Sequence, residues 1–305
     1  MKPDLPVWRS MLFVPVTQRR FVEGAAKRGA DAIILDLEDA VAASEKERAR
    51  ALVPEAAALV SRGGADVVVR LNRPLRMTVR DLEAVVGAGV QAVALPKADS
   101  AEHVQLVAEI IDELEAERGM PNGTTKMLAM VETCAAFFRI AEIARATPRL
   151  VALNLGSEDF ALSAGMLPTA EGLFMPKQTA VFAARAAGIM PMGFIGTVAE
   201  FGDLAGFRET VRRSRRLGFL GASVIHPSQV AILNEEFRPD AGELDHARRV
   251  VAAYDEALAA GVGAVTVDGK MIDVPIVERA RLLVERDDAI AAREARMQAL
   301  AARLG

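Results

Sequence analysis

The chain has little cysteine, few aromatic residues and little net charge, and each shortage removes a class of protein. A single cysteine, Cys134, among 305 residues excludes an internal disulfide framework and suits a reducing compartment. Aromatic residues make up 5% of the chain and the net charge is only -4. With no basic patch interleaved with aromatics, nucleic acid is not an expected partner. No uninterrupted apolar stretch approaches the length that spans a membrane. The opening "MKPDLPVWRS" has no apolar core of signal-peptide length, so a soluble, cytoplasmic protein is expected. What the chain does have is apolar residues, 51% of the total against 26% charged, enough for a sizeable core.

These apolar residues come in short runs that read as strands. Eight are identifiable: "SMLFVPV" (10–16), "AIILDLED" (32–39), "DVVVRLN" (66–72), "AVALPK" (92–97), "MLAMVET" (127–133), "LVALNLG" (150–156), "MPMGFIG" (190–196) and "ASVIHPS" (222–228). Each is nearly continuous rather than alternating, the pattern of a parallel sheet covered on both faces. Between them, 3.6-residue periodicity predicts helices, for example over 45–59, 101–117 and 204–216. "LSAGMLPTAEGLFMPKQTA" reads as a long loop before its helix. Eight such units over about 230 residues predict an α/β fold, a (β/α)8 TIM barrel. A doubly wound open sheet is the runner-up, but "VTQRR" follows the first strand where a glycine-rich phosphate loop would stand. After Pro227 the pattern changes, so residues 1–235 are expected to form the catalytic barrel and 236–305 a C-terminal extension. That extension reads as a helix over 243–261, a hairpin turning at Asp268-Gly269 and a final helix over 276–304. The last helix is laced with Arg and Glu in the manner of a solvated face. An oligomer contact is the sharper alternative for this tail.

In a barrel the C-terminal strand ends carry the chemistry. Here they carry Asp36, Glu38 and Asp39, then Arg70 and Asn72, Lys97, Glu132, Glu158 and Asp159, and His226. Glu132 follows the wholly apolar "MLAMV". It reads either as a helix N-terminal acid favoured by the macrodipole or as a ligand for a hard metal. Mg²⁺ takes one or two protein carboxylates and completes its shell with water and substrate oxygens. Neighbouring strands five and six would bring Glu132 to face one acid of the 158/159 pair. If strand alternation holds, only one of that pair points inward.

The stretches "RSMLFVP", "GADAIILDLEDAV", "VVVRLN", "ALPKA", "MVET", "GSEDF", "IHPSQ" and "VDGKMIDVPIVERAR", in this order from Arg9 to about Arg281, resemble the citrate lyase β-subunit family. That family includes malyl-CoA and citramalyl-CoA lyases and is related to the class II aldolases of the HpcH/HpaI superfamily. The resemblance implies a carbon–carbon lyase that cleaves or forms a 3-hydroxyacyl thioester, releasing a 2-oxo acid and an acetyl thioester carried on CoA or an acyl carrier. It implies Mg²⁺, with Mn²⁺ as a substitute, on Glu132 and Asp159. It implies Arg70 as the substrate-binding arginine, with Asp36 and Glu38 or Asp39 in the site cluster; beside these carboxylates Lys97 reads as an orienting partner. It further implies that Asp273, in the hairpin's "MID", reaches a neighbouring subunit for proton transfer, in a homo-oligomer such as a trimer or hexamer. Two positions depart from the family pattern: Val16 where glycine usually follows "LFVP", and a seventh strand without the acidic "ID". Both lie where acyl specificity is expected to be set.

The same residues also admit simpler roles. Arg70 would serve as an ion pair with Asp36 or Glu38 inside the barrel. Lys97 would be a Schiff-base lysine in a metal-free aldolase. His226 reads as a hydrogen-bonding residue under the site, and Cys134 as a small apolar packer. Competing functions are a class II pyruvate-type aldolase on free hydroxy-oxo-acids, a thioesterase acting after cleavage, and a catalytically silent barrel with a binding or regulatory role. The presence together of Glu132, Asp159, Arg70 and Asp273 argues against the silent barrel.

Overall fold

A computed structural model describes residues 5–197 and 202–303. Eight parallel strands form one sheet: β1 Ser10–Pro15, β2 Ala32–Asp36, β3 Asp66–Arg70, β4 Ala92–Leu95, β5 Lys126–Val131, β6 Leu150–Leu155, β7 Met190–Met192 and β8 Ala222–Val224. Each of the first six strands pairs with the next, and β8 pairs with β1. The seam between β7 and β8 closes through a bridge between Met192 and Gly221 and a hydrogen bond from Gly193 N to Gly221 O at 2.8 Å. The result is the expected TIM barrel, with helices returning the chain after each strand. Helices Ala101–Glu117 and Leu204–Arg216 fall where periodicity places them.

Two apolar layers hold the barrel. Alternate strand residues such as Ile33, Leu35, Val67, Val69, Val93 and Leu95 pack outward against the helices. Their neighbours, among them Met11, Ala32, Ile34, Val68, Ala94 and Met130, fill the interior. Strands buried on both faces explain the continuous apolar runs. At the N-terminal rim, Arg9 and Asp31 form a fully buried pair, with Arg9 Nε donating to Asp31 Oδ2 at 2.9 Å and Arg9 N donating to the same oxygen at 2.8 Å. Removing one partner of such a pair leaves an uncompensated buried charge. Asp31→Ala is therefore expected to lose about 3–5 kcal/mol, measured as the shift in urea midpoint at constant slope.

Every strand ends earlier than its apolar run predicts. Asp36 and Arg70 are the last ladder residues of β2 and β3, while Glu38, Asp39, Asn72, Lys97 and Glu132 belong to the turns out of the barrel, where the backbone has left the ladder. The stretch expected as a long loop is two helices, Ser157–Ala164 and Ala170–Ala186. Thr169 caps the second by accepting from Gly172 N, and Pro176 lies within it.

A second compact unit covers Arg238–Ala299. It contains the helix Ala241–Ala259, opened by a capping box between Asp240 and Glu243. The hairpin of β9 Val265–Val267 and β10 Lys270–Ile272 follows, and then most of the long helix Val274–Ala301. Asp268 and Gly269 turn the hairpin with φ of 48° and 74°, the left-handed pair that a two-residue type I′ turn requires. Val250, Tyr254, Ile272 and Val277 form its own small core. Among the described residues no helix is long and apolar enough to cross a membrane.

Candidate active site

Strand alternation selects which acids and bases face the barrel mouth. Interior Ala32 and Ile34 are followed at the same parity by Asp36, Val68 by Arg70, and Leu128 and Met130 by Glu132. Lys97 breaks that parity relative to Ala92 and Ala94, and its backbone turns left-handed, φ 46°, to re-aim the side chain. Its Nζ donates to Glu38 Oε1 at 2.9 Å and lies 3.6 Å from Glu132 Oε2 and 3.8 Å from Asp159 Oδ1.

Arg70 grips Asp36 with both arms of its fork, Nε to Oδ1 at 2.8 Å and Nη2 to Oδ2 at 2.6 Å. Its Nη1 lies 3.0 Å from Glu38 Oε2 and 3.3 Å from Asp39 Oδ2, and the guanidinium stacks on the Phe13 ring. The Asp36 carboxylate also accepts the backbone N–H of Glu38 at 2.9 Å, so "LDLED" wraps around one acid. Burial opposes the charge on Arg70, but hydrogen bonding to Asp36 and the charges of Asp36, Glu38 and Asp39 outweigh it and raise its pKa. Lys97 is likewise raised: burial works against its charge, while Glu38, Glu132 and Asp159 favour it. Burial raises the Glu38 carboxyl, with Lys97 and Arg70 opposing.

Glu132 stands out from these pairs. It is buried, and its Oε2 has no hydrogen-bond partner. Burial, with added repulsion from Asp159 and Glu38 and opposed by Lys97, pushes its carboxyl up to about 8. Room for it comes from Gly156 on the neighbouring strand's exit, where an added Cβ would fall 2.8 Å from Glu132 Cγ. Gly156→Ala is expected to push the carboxylate aside and lower turnover by about 10²-fold without unfolding the barrel, checked by steady-state kinetics beside a melting curve.

Glu158 and Asp159 lie not on a strand but in the first turn of helix Ser157–Ala164, so strand alternation does not decide between them. Exposure and partners separate them instead. Asp159 is half-buried beside Lys97, while Glu158 is exposed and accepts a hydrogen bond from Thr197 Oγ1. The barrel thus brings together Asp36, Glu38, Arg70, Lys97, Glu132 and Asp159. Asp273 lies in the second unit, at the foot of the helix after β10, with a buried Oδ1 that has no hydrogen-bond partner. His226 lines the barrel mouth, its Nδ1 sharing a 2.7 Å hydrogen bond with Ser228 Oγ.

The mouth opens into a cavity of about 850 Å³. Its walls include residues that the sequence reading missed: Arg20, Phe21 and Arg28 after β1, Ile225 beside β8, and Lys177. The arginines belong to an ordinary-looking amphipathic segment, and the spacing of βα units does not say which helix flank reaches the mouth.

The residues present fit a divalent hard cation. Among the described residues no group of three or more acids, histidines or cysteines is arranged to hold a metal ion. Three carboxylates meet around the Lys97 ammonium; Glu38 is hydrogen-bonded to it, and Glu132 and Asp159 lie further out at 3.6 and 3.8 Å, a pair of the number Mg²⁺ ordinarily takes from protein. Five acids here face two basic side chains, and the orphaned Oε2 of Glu132 lacks the partner a cation would supply.

Comparison with known proteins gives a consistent picture. A family model described as HpcH/HpaI aldolase/citrate lyase matches residues 9–227. The citrate lyase subunit beta of Escherichia coli K12 is 37% identical, covering 94% of this chain and 95% of that protein. The L-malyl-CoA/beta-methylmalyl-CoA lyase of Cereibacter sphaeroides is 34% identical, covering 93% of this chain and 96% of that one. Among solved structures, CitE from Mycobacterium tuberculosis in complex with magnesium, acetoacetate and coenzyme A superposes with a TM-score of 0.72. It is 30% identical, with 94% of this chain and all of that one covered.

Proposed function

The chain belongs to the HpcH/HpaI aldolase/citrate lyase family and is a carbon–carbon lyase, and from that premise we propose a Mg²⁺-dependent lyase of 3-hydroxyacyl thioesters. Its substrates are of the malyl-, citramalyl- or citryl-thioester kind, cleaved to a 2-oxo acid and an acetyl thioester. The observation that carries this is Glu132: a buried carboxylate with an orphaned oxygen, facing Asp159 around one cationic point.

Cleavage moves the hydroxyl proton off oxygen and the electrons of the C–C bond onto the thioester as an enolate, which then takes a proton at carbon. Glu132 and Asp159 would hold Mg²⁺, whose chemistry is to chelate the 2-oxo-acid oxygens and lower the energy of developing negative charge. Arg70 is fixed through Nε and Nη2 on Asp36, and its Nη1 is shared between buried Glu38 at 3.0 Å and exposed Asp39 at 3.3 Å. Asp39 is the replaceable partner of that Nη1, and a substrate carboxylate takes its place. Lys97 keeps its proton and offers a second fixed positive charge beside the same oxygens. Asp273 of a neighbouring copy returns the proton to the enolate carbon, which makes a homo-oligomer the working form and residues 238–299 its contact unit. Arg20 and Arg28, which line the cavity together with Phe21 and Ile225, suit a long phosphate-bearing carrier such as CoA. A cavity of about 850 Å³ also exceeds what a free C4 to C6 acid needs. A cytoplasmic setting accords with CoA as the carrier.

The test is an assay with Mg²⁺ against malyl-CoA, citramalyl-CoA, a citryl thioester and free hydroxy-oxo-acids. Turnover of thioesters that chelator abolishes is expected. Turnover of free aldols alone would replace this reading with the aldolase, and activity indifferent to chelator would remove the metal.

A further inference from the structure

Lys177 takes no part in the chemistry above, yet it lines the same cavity. It lies in the middle of helix Ala170–Ala186 with 4% of its surface exposed. Its Nζ donates to the carbonyl oxygens of Phe194 at 2.6 Å and Gly196 at 3.0 Å, just past β7. An ammonium has three donors, so one remains for the cavity. The charge felt there comes from Glu158, which is exposed and engaged with Thr197. Burial pushes the Lys177 amine down to about 7.

Among the described residues, Glu158 is the acid whose charge acts on Lys177. β7 leaves the barrel through Gly193, with φ of 124°. A Cβ there would approach Asn154 Oδ1 to 3.1 Å and the Phe219 ring to 3.5 Å. Backbone and space therefore keep an acidic side chain off this position. What remains is a buried amine in the cavity lining, held by two neutral carbonyl acceptors and with the Phe194 ring centroid 5.3 Å from Nζ. A buried cation without a paired anion is costly, and a ligand carboxylate arriving at the third donor relieves that cost.

We propose that Lys177 is a specificity-determining residue that binds a second carboxylate of the substrate, the one not held by Arg70 and the metal. The site then favours thioesters whose released 2-oxo acid is a dicarboxylate over those whose 2-oxo acid ends in hydrogen or methyl. This inference rests on the lyase reading for its substrate class, and it is tested by binding as well as turnover.

Malate and lactate, stable analogues differing by that one carboxylate, are titrated calorimetrically in Mg²⁺ into the full-length protein, Lys177→Met and Lys177→Gln. The wild type is expected to prefer malate, and both variants to lose roughly 10- to 100-fold of that preference while lactate binding holds. Lys177→Gln keeps a donor for the two carbonyls, so it separates loss of charge from collapse of the β7 exit. In turnover, the variants raise KM for the dicarboxylate-releasing thioester with kcat retained. No malate preference in the wild type, or an equal preference in Lys177→Gln, overturns the proposal. A uniform loss with both ligands would also overturn it, leaving a structural clamp. If no thioester is cleaved by the wild type, the lyase reading fails while the titration still decides Lys177.

Discussion

Glu132→Gln is expected to lower Mg²⁺-dependent turnover by about 10³-fold and, in metal-free buffer, to make the protein more stable at alkaline pH. The two effects share one cause. In the unfolded chain this carboxyl ionises near 4.5, and in the folded protein near 8, because burial disfavours its charge. Between those values the folded chain holds a proton that the unfolded chain has released. Wild-type stability therefore falls as pH rises through that window. Glutamine is isosteric and releases nothing. The variant's advantage should be absent below about pH 4.5, grow toward pH 8, and level off on the order of 5 kcal/mol. Urea midpoints in chelator at about pH 5 and about pH 9 measure it. An advantage equal at both pH values would mean that Glu132 is ionised throughout. Adding Mg²⁺ should reverse the order, since a bound cation stabilises the wild type in proportion to its occupancy and gains little on the variant. A wild type that Mg²⁺ fails to stabilise would sink the metal assignment without reference to activity.

Arg70 carries the second large effect, and two substitutions divide its roles. Arg70→Ala leaves Asp36 and Glu38 buried around an absent cation, so it should lose about 3–5 kcal/mol of stability together with about 10³-fold in turnover. Arg70→Lys returns the charge but not the fork that meets Asp36 at 2.8 and 2.6 Å. Much of the stability should return, while turnover stays low and KM stays raised, because a lysine engaged by Asp36 has no second arm for a substrate carboxylate. If Arg70→Lys worked as well as the wild type, the residue would be only the ion pair that fills the barrel mouth. Stability and kinetics measured on the same pair of variants make the distinction.

The barrel was legible in the sequence because strands covered on both faces must be apolar at every position, and eight such runs recur at helical spacing. The order of polar residues closing those runs pointed to the mouth for the same reason. A buried strand tolerates an ion only where it leaves the ladder. Strand ends were less legible: apolar side chains continue past the last ladder hydrogen bond, so the runs overstate β2 and β7. The helices over 157–186 were hidden by Gly, Pro and Ser, which read as loop until Thr169 is seen capping the second.

Which residues share the mouth follows from the sequence at Asp36, Arg70 and Glu132, whose parity is that of the interior positions before them. Sequence alone, then, determined the fold class, the barrel rim and the acid–base inventory, because hydrophobic periodicity and strand alternation are local properties of the chain. Tertiary structure decided what depends on distance between strands or on one backbone angle. A left-handed φ aims Lys97, the missing Cβ of Gly156 makes room for Glu132, and a helix turn separates Asp159 from Glu158. The burial of Lys177 belongs with these. It lies mid-helix, and only the closed barrel puts the exit of β7 over its ammonium.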